Sequence, residues 1–544
     1  MKKIINRITI ITLFTVLSFV LLACRREVDT ESINASMTQL EIQIYEGALG
    51  SEYMTSLENR FEEAYKDYVS PSGKVGVQVR VEASKSCSGA KLSDSKQSWN
   101  KDIYFANNCQ VYNQMVKNGF LLDITDVVSE IIEGENKSIK DKLSNSYKEW
   151  YEIDGKYYGL PQYEASSGFV YDIDLFNNNR LYISKTYENS IELSEKFSCS
   201  LGDADIAYGP DDIKGTADDG LPATYQDFYD LCEFLVSRGI LPIVCNNFPN
   251  YLTATVSSMF ADYAGSEQLD TFFHFSGTCD IVSGFDENNN PIIESKTITN
   301  DNGWEVFKQP GIYYSLKFIE NIIYHTSWYQ IVGDHLDAQS RFVMSSAPGS
   351  KKIAMLVESP YWYREATIAR NSLYQINPNE ENHRYGMLYL PKAVEAGGAS
   401  VLLDTTFTTA FINSDIDQDK VFLAKKFIQF CFTNESLSNF TKYTSLTAPY
   451  EYTMSEEDYQ QTSSIGKQMY DVHLSAKYYV CANQTPIYLK NSNISSPAQL
   501  YKNSIAEYPH LSFERKRQNA GGYTAEEYFD EVVKYRKSQW DVMR

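Results

Sequence analysis

Two apolar periodicities alternate along this chain, and they constrain its fold more than any other feature. Residues 40–44 alternate apolar and polar side chains as a strand does, and apolar residues recur at helical spacing from 54 to 68. A second alternating run covers residues 75–81. Strands that alternate with helices pair in mostly parallel sheets covered on both faces. The pattern therefore predicts an α/β fold.

The same pattern returns later in the chain. Thr224 and Asp227 have the spacing of a capping box, which predicts a helix that ends at Gly239 before a strand over residues 240–245. Further strands are predicted at 353–357, at 387–390 and, as one long apolar run, at 401–412; further helices are predicted at 418–432 and 524–540. A chain of 544 residues is long enough for two or three domains with buried cores.

The N-terminus has the features of a bacterial lipoprotein signal. A basic start precedes an apolar run that ends in the sequence LLAC at residues 21–24. The run is too short to cross about 30 Å of hydrocarbon, so residues 1–23 are predicted to be a cleaved signal peptide. Two acyl chains on Cys24 would anchor the protein, and residues 24–38 would form a flexible tether. An ordinary secretory peptide, with no role for Cys24, is the alternative.

The charge balance restricts the partners. The net charge is −22, and removal of the signal-peptide cations makes it about −25, which disfavours nucleic acid and anionic membrane surfaces. The lipid anchor is thus the one expected membrane contact. Tyr, Phe and Trp make up 14% of the residues, and such flat rings serve both recognition and cores. Of the eight other cysteines, Cys232 and Cys431 lie on apolar faces of predicted helices, which favours buried free thiols.

Sequence motifs of the common enzyme classes are absent. The chain has no H-E-x-x-H, no G-x-S-x-G, no P-loop and no G-x-G-x-x-G after a strand. A pair of glycosidase carboxylates needs proximity only in space, so the sequence leaves a glycan-processing enzyme open as an alternative.

An acidic insertion is predicted at residues 203–220, where aspartates cluster between glycines. Ca²⁺ takes six to eight oxygen ligands in loops of this kind, so Asp211, Asp212, Asp218 and Asp219 are candidate structural calcium ligands, with Asp203 and Asp205 nearby. The spacing is not that of an EF-hand, and a solvated acidic insertion is the alternative. No other cofactor is expected.

Several segments, taken in order, resemble one protein family. They are LEIQIYEG (40–47), DIYFANN (102–108), GFLLDI (119–124), GKYYGLP (155–161), YDIDLF (171–176), IAMLV (353–357) and KKFIQF (425–430). In this order, and behind a lipoprotein signal, they resemble the family 1 extracellular solute-binding proteins of carbohydrate ABC transporters.

The resemblance implies a periplasmic-binding-protein-like fold, with two doubly wound α/β lobes joined by crossing hinge segments. The ligand would lie in the cleft between the lobes, which closes by hinge motion. Lobe 1 is predicted to comprise residues 39–160 and 395–447, and lobe 2 residues 161–394 and 448–544.

Loops at strand ends supply the candidate ligand contacts, because open α/β sheets bind ligands at the carboxyl ends of their strands. A sugar needs stacking rings and planar polar partners. The candidates are Glu46, Asn107, Asn108, Tyr163, Glu164, Phe248, Tyr251, Tyr361 and Trp362. Their alternatives are a solvated turn for Glu46, an Asx-turn for the asparagine pair, interlobe packing for Tyr163 and loop or core packing for the other aromatic residues.

The predicted function is that of a lipid-anchored, monomeric sugar-binding protein on the outer face of the bacterial cytoplasmic membrane. It would capture a mono- or oligosaccharide and deliver it to ABC transporter permease subunits without covalent chemistry. A surface-anchored glycan-processing enzyme and a peptide-binding subunit of an ABC importer stay open as alternatives.

Overall fold

The computed structural model describes most of the chain after residue 31. It covers residues 32–45, 47, 49–187, 192–247, 249–379, 383–388, 390–398, 400–404, 406–480 and 508–544. The predicted signal peptide with Cys24 lies outside the described residues, as do the candidate contacts Glu46 and Phe248.

The first of two large sheets contains Thr38–Tyr45 (β1), Val77–Ser84 (β2), Ile103–Ala106 (β3) and Thr409–Ile412 (β16). The strand order is β16-β3-β1-β2. β1 is parallel to β2 and β3, whereas β16 is antiparallel to β3. Leu40, Ile42 and Ile44 are buried, as their alternation predicts.

The second large sheet contains Gly168–Asp172 (β6), Leu241–Asn246 (β9), Tyr329–Val332 (β12), Ile353–Glu358 (β13) and Tyr385–Leu388 (β14). The order is β12-β9-β13-β6-β14. β13 is parallel to β9 but antiparallel to β6, which is also antiparallel to β14. Every residue of the central strand β13 is buried, as expected for a continuous apolar run covered on both faces.

Smaller two-stranded pairs accompany these sheets. They are Glu152–Ile153 (β4) with Lys156–Tyr157 (β5), Tyr182–Ile183 (β7) with Phe197–Cys199 (β8), the hairpin Gly277–Phe285 (β10) with Pro291–Ile298 (β11), and Val401–Asp404 (β15) with Lys477–Val480 (β17).

Helices cover the sheets. Before the second large sheet they are Glu52–Ala64 (α1), Gly89–Asp94 (α2), Tyr112–Lys117 (α3), Thr125–Ser129 (α4), Ile139–Lys142 (α5) and Asn145–Tyr151 (α6). From β6 to β14 they are Ile173–Asn179 (α7), Leu193–Lys196 (α8), Tyr225–Ser237 (α9), Pro249–His274 (α10), Pro310–Tyr324 (α11), His335–Met344 (α12), Trp362–Glu365 (α13) and Thr367–Ile376 (α14). The non-helical backbone of Gly265 divides α10 into two helical parts. After β16 they are Val421–Cys431 (α15), Asn434–Thr444 (α16), Glu456–Gln461 (α17), Ser464–Ser475 (α18), Pro509–Arg517 (α19) and Ala525–Met543 (α20).

Each large sheet forms the core of one lobe, and the chain crosses between the lobes more than once. It leaves the first sheet before β6, returns to it at β16 and passes back near residue 447, where Glu164 bridges Thr447. The fold is therefore the periplasmic-binding-protein-like arrangement of two α/β lobes. The residue limits predicted for the lobes stay predictions.

The predicted long strand at 401–412 is wrong. The segment forms two short strands, β15 and β16, which belong to different sheets. Phe407 lies between them with a positive φ of 48°, a conformation that ends a strand. Apolar content alone did not reveal this break, because both halves are buried.

Other local predictions agree with the structure. The capping box predicted at Thr224 is formed, and the predicted C-terminal helix begins with a second one at Thr524. The cysteines within the described residues are free thiols, with Cys232 buried as predicted and Cys431 only partly so. The antiparallel pairs make the sheets more mixed than the prediction of mostly parallel strands. Within the described part of the chain, no helix has both the length and the apolar character needed to cross a bilayer.

Candidate ligand-binding cleft

Four tyrosines from different parts of the fold meet where the two lobes face each other. Tyr45 ends β1 in the first lobe, Tyr163 lies on a crossing segment, and Tyr251 and Tyr361 follow β9 and β13 in the second lobe. The phenol group of Tyr361 lies within electrostatic reach of the other three. Burial raises the pKa of Tyr361 and Tyr251, so both stay neutral at physiological pH. The cluster offers neutral aromatic faces at the carboxyl ends of strands from both sheets.

Tyr361 and Trp362 are adjacent after β13 but differ in burial. Tyr361 is half-buried and belongs to the tyrosine cluster. None of the surface of Trp362 is exposed, and its ring packs edge to face against Phe342 at 5.6 Å and Tyr385 at 5.2 Å. The structure thus places Tyr361 at the cleft and Trp362 in the core, where the sequence had made both candidates for stacking.

Tyr251 lies at the start of α10 and has an aromatic neighbour of its own. The imidazole of His335, the first residue of α12, stacks on the Tyr251 ring at 6.5 Å with an interplanar angle of 14°. This contact extends the flat surface of the cleft beyond the four tyrosines.

A pair of carboxyl groups lies beside the tyrosines. Glu358 ends β13 with 1% of its surface exposed, and Gln339 Nε2 donates to its Oε1 at 3.2 Å. The same nitrogen donates to Glu365 Oε2 at 2.9 Å. Burial, reinforced by the charge of Glu365, raises the pKa of Glu358 to about 8. Glu358 is therefore an uncharged carboxyl group at neutral pH.

Tyr163 and Glu164 point to opposite sides of their crossing segment, as successive residues of extended backbone do. The Tyr163 ring stacks on Phe440 at 6.5 Å while its phenol lies near Tyr45 and Tyr361, so it both packs between elements and faces the cleft. Glu164 is buried, accepts from Thr447 Oγ1 at 2.9 Å and pairs with His473 Nδ1 at 2.6 Å. It lines a cavity of about 760 Å³ to which none of the four tyrosines contributes.

Burial lowers the pKa of His473, but the charge and hydrogen bond of Glu164 outweigh this, so the net pKa is raised. Asp404, also buried near this segment, accepts from Tyr147 Oη at 2.5 Å. Burial raises the pKa of Asp404 to about 6. The acidic groups on this side of the crossing segment are thus paired within the protein: Glu164 with Thr447 and His473, and Asp404 with Tyr147.

Asn107 and Asn108 close β3. Asn107 Oδ1 accepts from the Asn108 amide at 2.8 Å, and Asn108 is exposed with a positive φ of 53°. An Asx-turn joins the side-chain oxygen to the amide two residues on, so this bond to the next residue is not the Asx-turn that the sequence left open. The Asn108 amide also donates to Thr406 O, which fixes the end of β3 beside the segment that joins β15 to β16. A ligand contact for either side chain stays a prediction.

The acidic insertion uses its carboxylates to hold its own backbone. Asp218 Oδ2 accepts from the Asp211 amide at 3.0 Å, and Asp219 Oδ2 accepts from the Gly215 amide at 2.8 Å. Asp211 in turn accepts from the Ile213 amide, while Asp212 has a positive φ of 57°. Across the described residues, no group of three or more His, Cys, Asp or Glu side chains is arranged to hold a metal ion. The calcium site stays a prediction.

Sequence reasoning missed five residues that the structure brings to this region: Tyr45, His335, Gln339, Glu358 and Glu365. Two of them had a detectable signal, because Tyr45 and Glu358 each end a strand at its carboxyl edge. The other three lie on α12 or at the end of α13, and only the packing of these helices brings them near the tyrosines.

The sequence profile of the bacterial extracellular solute-binding protein family matches residues 55–437. The chain belongs to this family. Its members are extracellular, which places this solute-binding protein outside the cytoplasm and gives it a ligand to bind.

A solved structure described as a chitin oligosaccharide binding protein is similar to this solute-binding protein. The two share 14% identity with a TM-score of 0.52, over 93% of this chain and 100% of the other. At that identity the likeness shows the fold alone. No curated protein matches the chain.

Proposed function

We propose that this solute-binding protein is a lipid-anchored sugar-binding protein that captures a mono- or oligosaccharide and delivers it to an ABC transporter permease. The observation that carries the proposal is the convergence of Tyr45, Tyr163, Tyr251 and Tyr361 from both lobes and a crossing segment. Aromatic rings stack on the apolar faces of a sugar, and closure of the lobes around it excludes water. The chitin-oligosaccharide-binding protein of similar fold supports this choice.

The charges beside the cleft favour an uncharged sugar. Glu365 lies next to the buried Glu358, and Asp404 lies near Tyr163. A uronic acid would bring its carboxylate close to these groups, and Arg364, the cation next to Glu365, already interacts with Glu52. Neutral oligosaccharides are therefore the first ligands to test.

The proposed mechanism involves no covalent step. Binding to Tyr251 and Tyr361 in one lobe and Tyr45 in the other shifts the protein towards a closed state. In the proposal, Cys24 carries the lipid, the protein is a monomer on the outer face of the cytoplasmic membrane, and the closed form is what the permease recognises.

A glycan panel tests the proposal by calorimetry, with product analysis on the same samples. We expect heat of binding and thermal stabilisation by at least one neutral saccharide, with no released product. An anionic saccharide of equal length is the matched control. Hydrolysis would instead favour an enzyme, for which the raised pKa of Glu358 beside Glu365 is the relevant observation. Binding of cationic peptides alone would also contradict the sugar proposal.

A further inference from the structure

Glu358 occupies a position that sugar stacking alone does not explain. It is buried at the end of β13, three residues before Tyr361. Its Oε2 accepts from the Ser359 amide at 3.0 Å, and its Oε1 accepts from Gln339 Nε2 at 3.2 Å. The carboxyl group thus holds the first residue of the loop that carries Tyr361 and joins that loop to α12.

Gln339 connects this loop to the aromatic surface. It lies one helical turn after His335, which stacks on Tyr251, and its Nε2 also reaches Glu365 on α13. Gln339 is 1% exposed, and its Oε1 has no hydrogen-bond partner among the described residues. One face of α12 therefore contacts Tyr251 through its first turn and the Tyr361 loop through its second.

Two ionised carboxylates sharing one amide nitrogen would repel each other in a buried site. The charged or titratable groups that face Glu358 are Glu365 on α13, Tyr251 on α10 and Tyr361 in the loop. His335 on α12 contacts Tyr251. The flanking strands meet this end of β13 with the uncharged residues Asn246 and Gly168. Burial and the charge of Glu365 favour the protonated form of Glu358 and outweigh the two N–H donors, which favour its carboxylate, so that its pKa is about 8.

We propose that Glu358 is a positioning residue of the ligand cleft, which through Ser359 and Gln339 fixes the loop that presents Tyr361 to a sugar. Loss of its proton would set two negative charges against each other across the Gln339 amide, which the N–H donors of Ser359 and Gln339 offset only in part, and the repulsion from Glu365 would displace the loop. The role in sugar binding rests on the proposed function, but the positioning of Tyr361 can be measured without a ligand.

The first experiment uses ¹⁹F NMR on the full exported chain, with 4-trifluoromethylphenylalanine at position 361, a residue that does not titrate. Between about pH 6 and pH 9.5 we expect the resonance to move with a midpoint near 8, following Glu358. Glu358→Gln keeps the size of the side chain without titrating, and it should abolish the movement. Glu365→Gln should lower the midpoint, because the charge of Glu365 helps to raise the pKa of Glu358.

Asp218→Asn is the matched control, since it removes another buried carboxyl group, with a pKa of about 6, that lies in the acidic insertion and not at the cleft. It should leave the transition near pH 8 unchanged. A resonance that stays constant with pH, or one that moves equally in Glu358→Gln, would overturn the inference.

The second experiment measures the affinity for the saccharide found by the glycan panel. We expect the dissociation constant to rise about tenfold per pH unit above 8, to become independent of pH in Glu358→Gln, and to increase at every pH in Glu358→Ala. A bound saccharide whose affinity does not change with pH would refute the role of Glu358. If the resonance moves with pH but no saccharide of the panel binds, the sugar proposal is refuted and the positioning of Tyr361 by Glu358 is established.

Discussion

The adjacent residues Tyr361 and Trp362 should separate ligand affinity from stability. Trp362 has no exposed surface and packs against Phe342 and Tyr385. Truncation of a buried tryptophan removes its transfer free energy and leaves a cavity. Trp362→Ala should therefore lower the free energy of unfolding by about 3–5 kcal/mol.

Tyr361→Ala should instead weaken ligand binding and cost little stability. The side chain is half-buried at the cleft, so its removal costs less stability than that of Trp362. If its ring stacks on the saccharide, the loss is about 1–3 kcal/mol of binding free energy, or roughly a 5- to 150-fold weaker dissociation constant. Tyr361→Phe, which keeps the ring, is the control and should retain most of the affinity.

The assays are urea unfolding followed by circular dichroism and saccharide binding by calorimetry, on the same preparations. Trp362→Ala should lower stability and leave the affinity nearly unchanged, and Tyr361→Ala should lower the affinity with a smaller loss of stability. The affinities are measured at urea concentrations and temperatures well below the unfolding transition. If Trp362→Ala weakens binding without loss of stability, the indole contacts the ligand and the reasoning from its burial is refuted. Unchanged affinity in Tyr361→Ala would remove the tyrosine cluster as the site.

Three further predictions follow from particular groups. The folded-state pKa of Glu358 is raised from 4.5 to about 8, so the free energy of unfolding should fall as pH rises between these values. In urea melts at several pH values, Glu358→Gln should flatten this slope and raise the free energy of unfolding by up to about 3 kcal/mol at pH 7. Burial raises the pKa of Asp218 from 3.8 to about 6, so the free energy of unfolding should also fall between these pH values, and Asp218→Asn should flatten that fall. The same urea melts with added Ca²⁺ test the calcium site: stabilisation by Ca²⁺ that is lost in Asp218→Asn would establish it. Cys24→Ser should release the protein from membranes into the medium, and continued membrane fractionation of this variant would contradict lipid anchoring.

Much of the fold was readable from local patterns. The alternation at 40–44, the helix after Thr224 and the buried run at 353–357 all form as predicted, because side-chain periodicity and capping act within one element. The run at 401–412 did not follow its pattern. Its two halves join different sheets, and that choice depends on strand pairing with distant residues rather than on apolar content.

The candidate site was predictable only in outline. Loops after strands were the expected place for ligand contacts, and Tyr251 and Tyr361 do lie there. The sequence did not distinguish Tyr361 from Trp362, since both are aromatic and adjacent and only tertiary packing decides which ring enters the core. Likewise, Gln339 gave no signal, because its meaning comes from the two carboxyl groups that α12 brings within hydrogen-bond distance.

The amino-acid order alone determined the α/β class and most of the strands and helices, and it predicts the export signal at Cys24. These depend on periodicity, capping and composition over short stretches of chain. Only the tertiary structure decided which tyrosines share a cleft and which carboxyl group loses its charge. Both outcomes depend on burial and on distances between residues far apart in the chain, and a linear pattern contains neither quantity.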